Sequence, residues 1–237
     1  MRLLYSLLIF WPLSIINIVL TFMSYKLFGK LQGTEAASRV ATNWGYLQYH
    51  LALSQLKIKG VENIPKEGGV IITSNHRSYF DIFTICAAMP RDVRWVVKNT
   101  LMHYPILGFV LRNIRAVGLD RGNPRDAVKA LMQTAKELQS GDVIAMFPEG
   151  TRSTTEEMLP FKSGAFALAL KAGVPVVPVA IEGSEKVLAA KKLIMNCCKQ
   201  VNITFLEPID PKQFGKDRQL MSDEISKRIL THINRGC

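Results

Sequence analysis

The chain has 237 residues, a formal net charge of +11 and a hydrophobic content of 48%. This length fits one domain, or one domain with an appendage, and is enough to bury a core. An excess of basic residues favours anionic partners, which include lipid surfaces, phosphorylated substrates and nucleic acid. The charge is dispersed and the sequence holds no nucleic-acid recognition motif, so nucleic acid is excluded as the expected partner.

The cysteines and histidines argue against two further kinds of site. The four cysteines have no C-x-x-C spacing, and two of them, Cys197 and Cys198, are adjacent. This usage predicts reduced thiols in a cytoplasmic setting, without a disulfide framework or a zinc site. The four histidines are well separated along the chain, so the sequence predicts no metal site.

The N-terminal segment is predicted to bind a membrane. Leu3–Tyr25 contains no charged residue, and as a helix with a rise of ~1.5 Å per residue it would be long enough to cross a bilayer. A second helix is predicted at about Glu35–Gln55 from apolar residues at helical spacing. Residues 1–60 carry six basic residues against one acidic residue, a balance that an anionic membrane surface attracts. We therefore expect residues 1–55 to form membrane-binding helices, which either span the bilayer or lie in one leaflet.

From Leu56 onward, short apolar strands alternate with helical patterns. Strands are predicted at Leu56–Lys59, Val70–Thr73, Val93–Val97, Ile114–Val117, Val143–Phe147, Val176–Ile181 and Val201–Phe205. Helices are predicted at Phe80–Met89, Ala127–Gln139, Phe161–Ala172 and Lys216–Asn234. This alternation predicts an α/β domain over residues 56–237, with a mostly parallel sheet flanked by helices.

The first candidate site lies where the second predicted strand ends, at His76. Sites in α/β proteins usually lie at this carboxyl edge of the sheet. On one continuous helix His76 and Asp81 would point about 140° apart, so they can meet only if His76 lies in the turn before the helix. The Asp81 carboxylate would then orient the imidazole and leave its other nitrogen free to take a proton.

These residues leave two alternatives open. Asp81 stands three residues after Ser78 and ahead of an apolar run, which is also the pattern of a helix capping box without a catalytic role. Ser74 and Ser78 are the nearest hydroxyl groups, and a serine activated by His76 would indicate a membrane-bound hydrolase.

A second candidate site follows the strand at Val143–Phe147. In the turn after it, Gly150 lets the backbone bend, Thr151 offers a hydroxyl group and Arg152 a planar guanidinium that matches phosphate. An ordinary glycine turn with a surface arginine fits the same residues. Arg121 lies near the end of another predicted strand and is a weaker candidate, because such Asp–Arg pairs are commonly solvated.

Four blocks of the sequence, taken together, resemble the glycerolipid acyltransferase family, and most closely the bacterial 1-acyl-sn-glycerol-3-phosphate acyltransferases. The blocks are Asn75-His76-x4-Asp81, Asp120-Arg121, Phe147-Pro148-Glu149-Gly150-Thr151-Arg152-Ser153 and Val174-Pro175-Val176-Val177-Pro178. Lys162 and Gly164 match the family's continuation of the third block, and the resemblance runs from about Lys57 to the C-terminus. Gly118 departs from the family, which more often has a bulky residue ahead of the second block.

The resemblance implies that an acyl group is transferred to the sn-2 hydroxyl of lysophosphatidic acid, which gives phosphatidic acid. Acyl-CoA or acyl-ACP would be the cosubstrate, with no further cofactor and no metal. His76 would act as general base with Asp81 as its partner, without an acyl-enzyme. The substrate-binding residues would be Arg121, Glu149, Gly150, Thr151, Arg152 and Lys162, although Glu149 is expected to be structural or orienting because a carboxylate repels phosphate.

The implied partners are a membrane lipid substrate, an acyl thioester donor and an anionic membrane surface. The implied location is the cytoplasmic face of the cell membrane. Other acceptors stay open, among them glycerol 3-phosphate and other lysophospholipids, as does a basic protein that binds lipid without catalysis.

Overall fold

The structure is a computed structural model that describes residues 2–16, 19, 23, 35–119 and 124–235. Within these residues, strands form one sheet in the order β1-β7-β6-β2-β5-β3-β4. The strands are β1 (Gln55–Lys59), β2 (Val70–Ser74), β3 (Arg94–Lys98), β4 (Val117–Leu119), β5 (Val143–Met146), β6 (Val176–Glu182) and β7 (Gln200–Phe205).

The helices lie before, between and after these strands. They are α1 (Arg2–Tyr5), α2 (Glu35–Leu51), α3 (Phe80–Ala88), α4 (Pro105–Asn113), α5 (Pro124–Gln139), α6 (Ala167–Ala172), α7 (Ser184–Val187) and α8 (Arg218–Arg235). A π-helical turn (Ser6–Phe10) and helical residues 11–16 extend α1. Short 3₁₀ turns lie at Val61–Asn63, Asn99–His103, Ser163–Phe166 and Pro211–Phe214.

The pairing of the strands confirms the predicted fold class. Neighbouring strands are parallel except β6 and β7, which are antiparallel. Strand β2 lies between β5 and β6, with Thr73 paired to Met146 and Ser74 paired to Val179. Because β2 and β5 are parallel, the residues that follow them, His76 and the turn from Phe147, meet at one edge of the sheet.

The central strands are buried on both faces of the sheet. Every residue of β2 is buried, and its side chains alternate between two apolar clusters. Ile72 belongs to the cluster that contains Phe80 and Phe83 of α3, whereas Ile71 belongs to the cluster that contains Ile225 of α8. This two-sided burial explains why the central strands are continuous apolar runs, as is usual for parallel sheets covered by helices.

Several elements differ from the sequence prediction. The predicted helix Glu35–Gln55 ends at Leu51, the predicted helix Phe161–Ala172 is a 3₁₀ turn followed by α6, and the short helix α7 was not predicted.

The predicted strand at Ile114–Val117 begins instead at Val117, because the preceding residues complete α4, a helix that the pattern did not predict. The helix ends in a Schellman motif, in which Ala116 N–H donates to Leu111 O at 2.8 Å. Arg115 takes the left-handed position of this motif with φ +56°, where glycine is usual. Because arginine is unusual at this position, the sequence did not indicate where the helix ends.

The N-terminal helix, which is α1 with its extension to residue 16, and α2 pack onto the α/β body formed by the sheet and the helices after it. Phe10, Tyr49 and Ala52 are buried in the same cluster as Ile72. Trp11 Nε1 donates to the Leu193 carbonyl oxygen at 2.7 Å, which holds the helix against the segment after α7. The described parts of the first 55 residues, in the N-terminal helix and α2, thus share a core with the rest of the chain. A domain boundary at residues 55–56 stays a prediction.

Apolar side chains cover the outer side of the N-terminal helix. Leu4 is 60% exposed, Leu8 is 69% exposed and Ile15 is 60% exposed. Among the described residues, none of the helices combines the length and the apolar character needed to cross a bilayer. The predicted two-helix membrane segment is therefore not confirmed, and most of residues 17–34, including Lys26 and Lys30, lie outside the described residues.

Candidate active site

The end of β2 is fixed by the side chain of Asn75. Its Nδ2 donates to the Ile181 carbonyl oxygen at 2.9 Å, and its Oδ1 accepts from the Ile181 N–H at 2.9 Å. The buried amide thus continues the pairing of β2 with β6 after the strand itself has ended. This clamp holds the next residue, His76, at the carboxyl edge of the sheet.

Two side chains cap the start of α3. Ser78 Oγ accepts from the Phe80 N–H at 2.9 Å, and Asp81 Oδ2 accepts from the N–H groups of Ser78 at 2.9 Å and Arg77 at 2.8 Å. These bonds satisfy donors that a helix start leaves without intrahelical partners. Asp81 thus makes one bond of the predicted capping box, to the Ser78 N–H, whereas Ser78 Oγ accepts from Phe80 and not from Asp81.

The same carboxylate oxygen also contacts the histidine. Asp81 Oδ2 lies 2.8 Å from His76 Nδ1, and the side chain of Asp81 is 1% exposed while that of His76 is 12% exposed. Because the carboxylate oxygen is an acceptor, Nδ1 carries the proton in the neutral imidazole and Nε2 carries the lone pair. No hydrogen bond from the described residues occupies Nε2. Capping and pairing with His76 are thus compatible roles of one side chain.

The imidazole ring is held from one side by stacked aromatic rings. Phe147, the residue after β5, stacks on His76 with ring centroids 3.8 Å apart and planes 12° apart. Trp95 of β3 stacks behind Phe147 at 5.9 Å. Together with the bond to Asp81, this stack fixes both the plane and the rotation of the imidazole. The family block contains Phe147, but no pattern in the sequence indicates that this residue contacts His76.

Glu149 contacts the backbone of His76. Its Oε1 accepts from the His76 N–H at 2.6 Å, its Oε2 accepts from the Leu159 N–H at 3.0 Å, and the residue is 1% exposed. Burial raises the pKa of Glu149 to about 7, against the opposite effect of these two donors. This geometry favours the orienting role and leaves no carboxylate surface to face a substrate. Glu149 is thus better described as a positioning residue than as a substrate-binding one.

Arg152 lies in the turn that follows β5, and its side chain contacts Tyr79, which precedes α3. Gly150 in this turn has φ +70°, a left-handed conformation that glycine adopts without strain. The Arg152 Cζ atom lies 3.4 Å from the centroid of the Tyr79 ring. Its Nη1 atom is buried and has no hydrogen-bond partner among the described residues. The turn thus carries a guanidinium that has an unpaired donor and lies against Tyr79, three residues after His76.

The remaining predicted substrate-binding residues differ in their positions. Thr151 is exposed at the turn, and Lys162 is exposed while its N–H donates to the Pro148 carbonyl oxygen at 3.0 Å. Arg121 and its neighbour Asp120 lie outside the described residues.

The two serines near His76 are engaged elsewhere. Ser78 Oγ donates to the Leu188 carbonyl oxygen at 2.5 Å, and Ser74 Oγ donates to the Asn75 carbonyl oxygen at 3.0 Å. Both serines are buried, and neither hydroxyl is hydrogen-bonded to His76. Neither of these two serines is therefore prepared as a nucleophile by a contact with His76.

A family model described as "Acyltransferase" matches residues 55–182, which is more than half of the chain. A 1-acyl-sn-glycerol-3-phosphate acyltransferase of Pseudomonas aeruginosa is 34% identical over 146 residues, 60% of this chain and 56% of that protein. The chloroplastic protein of that name, BAT2, from Brassica napus is 32% identical over 179 residues, 75% of this chain and 50% of that protein. The chain spans about half the length of the curated relatives it matches.

A solved structure is similar over nearly the whole chain. It is the 1-acyl-sn-glycerophosphate (LPA) acyltransferase PlsC from Thermotoga maritima, with a TM-score of 0.82 and 27% sequence identity. The match covers 99% of this chain and 97% of that one. Together with the sheet order and the matched segment, these similarities show that the chain belongs to the acyltransferase family.

Proposed function

We propose that the protein transfers an acyl group from an acyl thioester to the sn-2 hydroxyl of lysophosphatidic acid, which gives phosphatidic acid. The observation that carries this proposal is the His76–Asp81 pair, whose imidazole has a fixed tautomer and an open Nε2. The names of these two relatives, one from a bacterium and one from a plant chloroplast, support this acceptor.

In the proposed reaction, His76 Nε2 takes the proton of the sn-2 hydroxyl while its oxygen attacks the thioester carbonyl carbon. A carbon–oxygen bond forms, the carbon–sulfur bond breaks, and the proton passes from His76 to the departing thiolate. Asp81 stabilises the imidazolium that forms in between. General-base assistance of this kind typically contributes about 10²–10⁴ to the rate.

The acceptor's phosphate is held by cationic groups near His76. Arg152 offers a guanidinium whose buried Nη1 has no hydrogen-bond partner among the described residues, and a planar guanidinium suits phosphate oxygens. The backbone at Gly150, the Thr151 hydroxyl and Lys162 add donors around the same turn, and Arg121 would supply a second guanidinium. Glu149 acts indirectly, by fixing the backbone of His76.

The donor is acyl-CoA or acyl-ACP, and the chain requires no other cofactor. The acceptor and product are membrane lipids, so the site must be reached from a bilayer surface. We place the protein at the cytoplasmic face of the cell membrane, held there by the exposed apolar side chains of the N-terminal helix and by its net charge of +11.

An acceptor panel tests the proposal. Purified protein in mixed micelles receives radiolabelled acyl-CoA or acyl-ACP together with lysophosphatidic acid, glycerol 3-phosphate or lysophosphatidylcholine, and the products are separated by thin-layer chromatography. We expect phosphatidic acid from lysophosphatidic acid as the dominant product. Preferred acylation of another acceptor would overturn the acceptor assignment, and free fatty acid as the main product would indicate a hydrolase.

A further inference from the structure

Tyr79 is an exposed aromatic residue inside the turn between His76 and Asp81. It is 44% exposed, in contrast to the buried residues on either side of it. Its ring lies directly beneath the Arg152 guanidinium, with Cζ 3.4 Å from the ring centroid. A cation over an aromatic face is attracted by the negative face of the ring.

The contact joins the two turns that build the site. Tyr79 belongs to the segment between β2 and α3, whereas Arg152 belongs to the turn after β5. The neighbouring Ser153 N–H donates to the His76 carbonyl oxygen at 2.8 Å, so the two turns are also bonded through their backbones. The position of Arg152 relative to His76 therefore depends on both contacts.

Arg152 still has a donor without a partner. Its Nη1 atom is buried, and none of the described residues accepts a hydrogen bond from it. Burying an unpaired donor costs free energy, so a buried guanidinium nitrogen in this state favours an incoming acceptor. Because the ring of Tyr79 covers one face of the guanidinium, the N–H groups at its edge are the groups that remain for a ligand.

We propose that Tyr79 is a positioning residue that holds the Arg152 guanidinium for the phosphate of the acceptor. This inference rests on the proposed function, because the phosphate is the anion that the acceptor supplies. Tyr79 acts through Arg152 and fixes the distance between the phosphate site and His76. It thereby contributes to the preference for phosphorylated acceptors over uncharged ones such as monoacylglycerol.

Two substitutions separate the ring from the hydroxyl group. Tyr79→Leu keeps an apolar side chain but removes the aromatic face, and it should raise KM for lysophosphatidic acid roughly three- to thirty-fold with kcat within about twofold. Tyr79→Phe keeps the face and should stay close to the wild type. Tyr104→Leu, which changes a tyrosine that is 59% exposed, is the matched control and should leave KM unchanged.

A double-mutant cycle tests whether Tyr79 acts through Arg152. In an Arg152→Ala background, Tyr79→Leu should add no further rise in KM, because no guanidinium remains to be held. An equal rise in both backgrounds would overturn the inference and indicate direct contact of Tyr79 with lipid. An unchanged KM in Tyr79→Leu alone would overturn it as well.

A binding measurement distinguishes this inference from the proposed function. Line broadening in the ³¹P NMR spectrum of glycerol 3-phosphate reports phosphate binding without turnover. A wild type that transfers no acyl group, yet broadens this signal in a manner that depends on Tyr79 and Arg152, would contradict the function and support the inference. Acyl transfer by the wild type, together with normal phosphate binding and turnover by Tyr79→Leu, would support the function and contradict the inference. A wild type that neither transfers acyl groups nor broadens the signal would contradict the function and the inference alike.

Discussion

The carboxylate of Glu149 accepts a hydrogen bond from the backbone N–H of His76 at 2.6 Å, so the turn after β5 is bonded to the end of β2. The other oxygen of Glu149 accepts from the Leu159 N–H, and the side chain is buried. A single carboxylate thus joins the turn that carries Arg152 to the residue that carries the proposed base.

The buried Glu149 predicts a specific dependence of stability on pH. Its pKa is raised from 4.5 to about 7 in the folded chain, so the unfolded chain releases this proton first as the pH rises. The contribution of Glu149 to the free energy of unfolding therefore falls between about pH 4.5 and pH 7 and is level above that range. Glu149→Gln removes this dependence. The Tm of the variant minus the Tm of the wild type should therefore increase by roughly 3–8 °C from pH 5 to pH 8.

Differential scanning fluorimetry at pH 5, 6, 7 and 8 measures this difference. Glu156→Gln, which changes an exposed carboxyl group in the same loop, is the control and should run parallel to the wild type. Parallel curves for Glu149→Gln and the wild type would show that Glu149 is ionised throughout, and would contradict the prediction.

The stack of Phe147 on His76 predicts an effect on turnover. Phe147→Leu keeps most of the apolar volume but removes the ring that fixes the imidazole plane, so kcat should fall roughly three- to tenfold with KM for the acceptor unchanged. Steady-state kinetics of phosphatidic acid formation measures both constants.

Phe205→Leu provides the control, since Phe205 is buried in the same apolar cluster but lies in β7. It should lower Tm while leaving kcat intact. If kcat fell in proportion to the loss of Tm in both variants, Phe147 would contribute only to packing, and the prediction would be wrong.

The contacts of Ser78 predict a structural role. Ser78→Ala removes the hydrogen bonds to the Phe80 N–H and to the Leu188 carbonyl oxygen, so the free energy of unfolding should fall by about 1–2 kcal/mol. Acyl transfer by the folded variant should stay within about threefold of the wild type, because the nucleophile of the proposed reaction is the substrate's own hydroxyl group. Chemical denaturation and initial rates measure the two effects.

Ser74→Ala should likewise retain transfer. Intact-protein mass spectrometry during turnover should show no added acyl group on the wild type. An acyl adduct on either serine, or complete loss of transfer in a folded Ser78→Ala protein, would support a serine-dependent hydrolase instead.

The exposed apolar side of the N-terminal helix predicts where the protein contacts the bilayer. The triple variant Leu4→Ser/Leu8→Ser/Ile15→Ser should weaken binding to anionic vesicles about tenfold or more, because these side chains are exposed and their replacement leaves the core intact. Co-sedimentation with phosphatidylglycerol vesicles measures the effect. Deletion of residues 1–55 would be less informative, since it also removes Phe10 and Tyr49 from the core.

The control for this variant is Leu220→Ser/Leu230→Ser, which changes two exposed leucines of α8. It should bind vesicles like the wild type. Equal binding by the triple variant and the wild type would remove the N-terminal helix from the membrane contact.

The fold class could be predicted from the sequence because it depends on local patterns. The contact between His76 and Asp81 was one of the alternatives that the local pattern left open, and the family resemblance favoured it. Buried β-branched runs predicted the central strands, and the spacing of Ser78 and Asp81 at a helix start brought the carboxylate back toward His76. The end of α4 could not be predicted in this way, because Arg115 stands where glycine is usual. That residue is held by contacts distant in sequence, among them two hydrogen bonds from Arg94 to its carbonyl oxygen.

The contacts between the two turns of the site could not be predicted from the sequence either. His76 meets Phe147 and Glu149 because β2 and β5 are neighbours in the sheet, although a long stretch of chain separates them. Tyr79 meets Arg152 for the same reason. The order of strands in the sheet determines such contacts, whereas the periodicity of each strand does not reveal that order.

The rate of phosphatidic acid formation by His76→Ala, compared with the wild type on lysophosphatidic acid and with both thioester donors, tests the central claim most directly. We predict that the wild type forms phosphatidic acid, and that the variant is slower by about 10²–10⁴ with an unchanged Tm and unchanged vesicle binding. Formation of phosphatidic acid by His76→Ala at the wild-type rate would contradict the assignment of His76 as the general base.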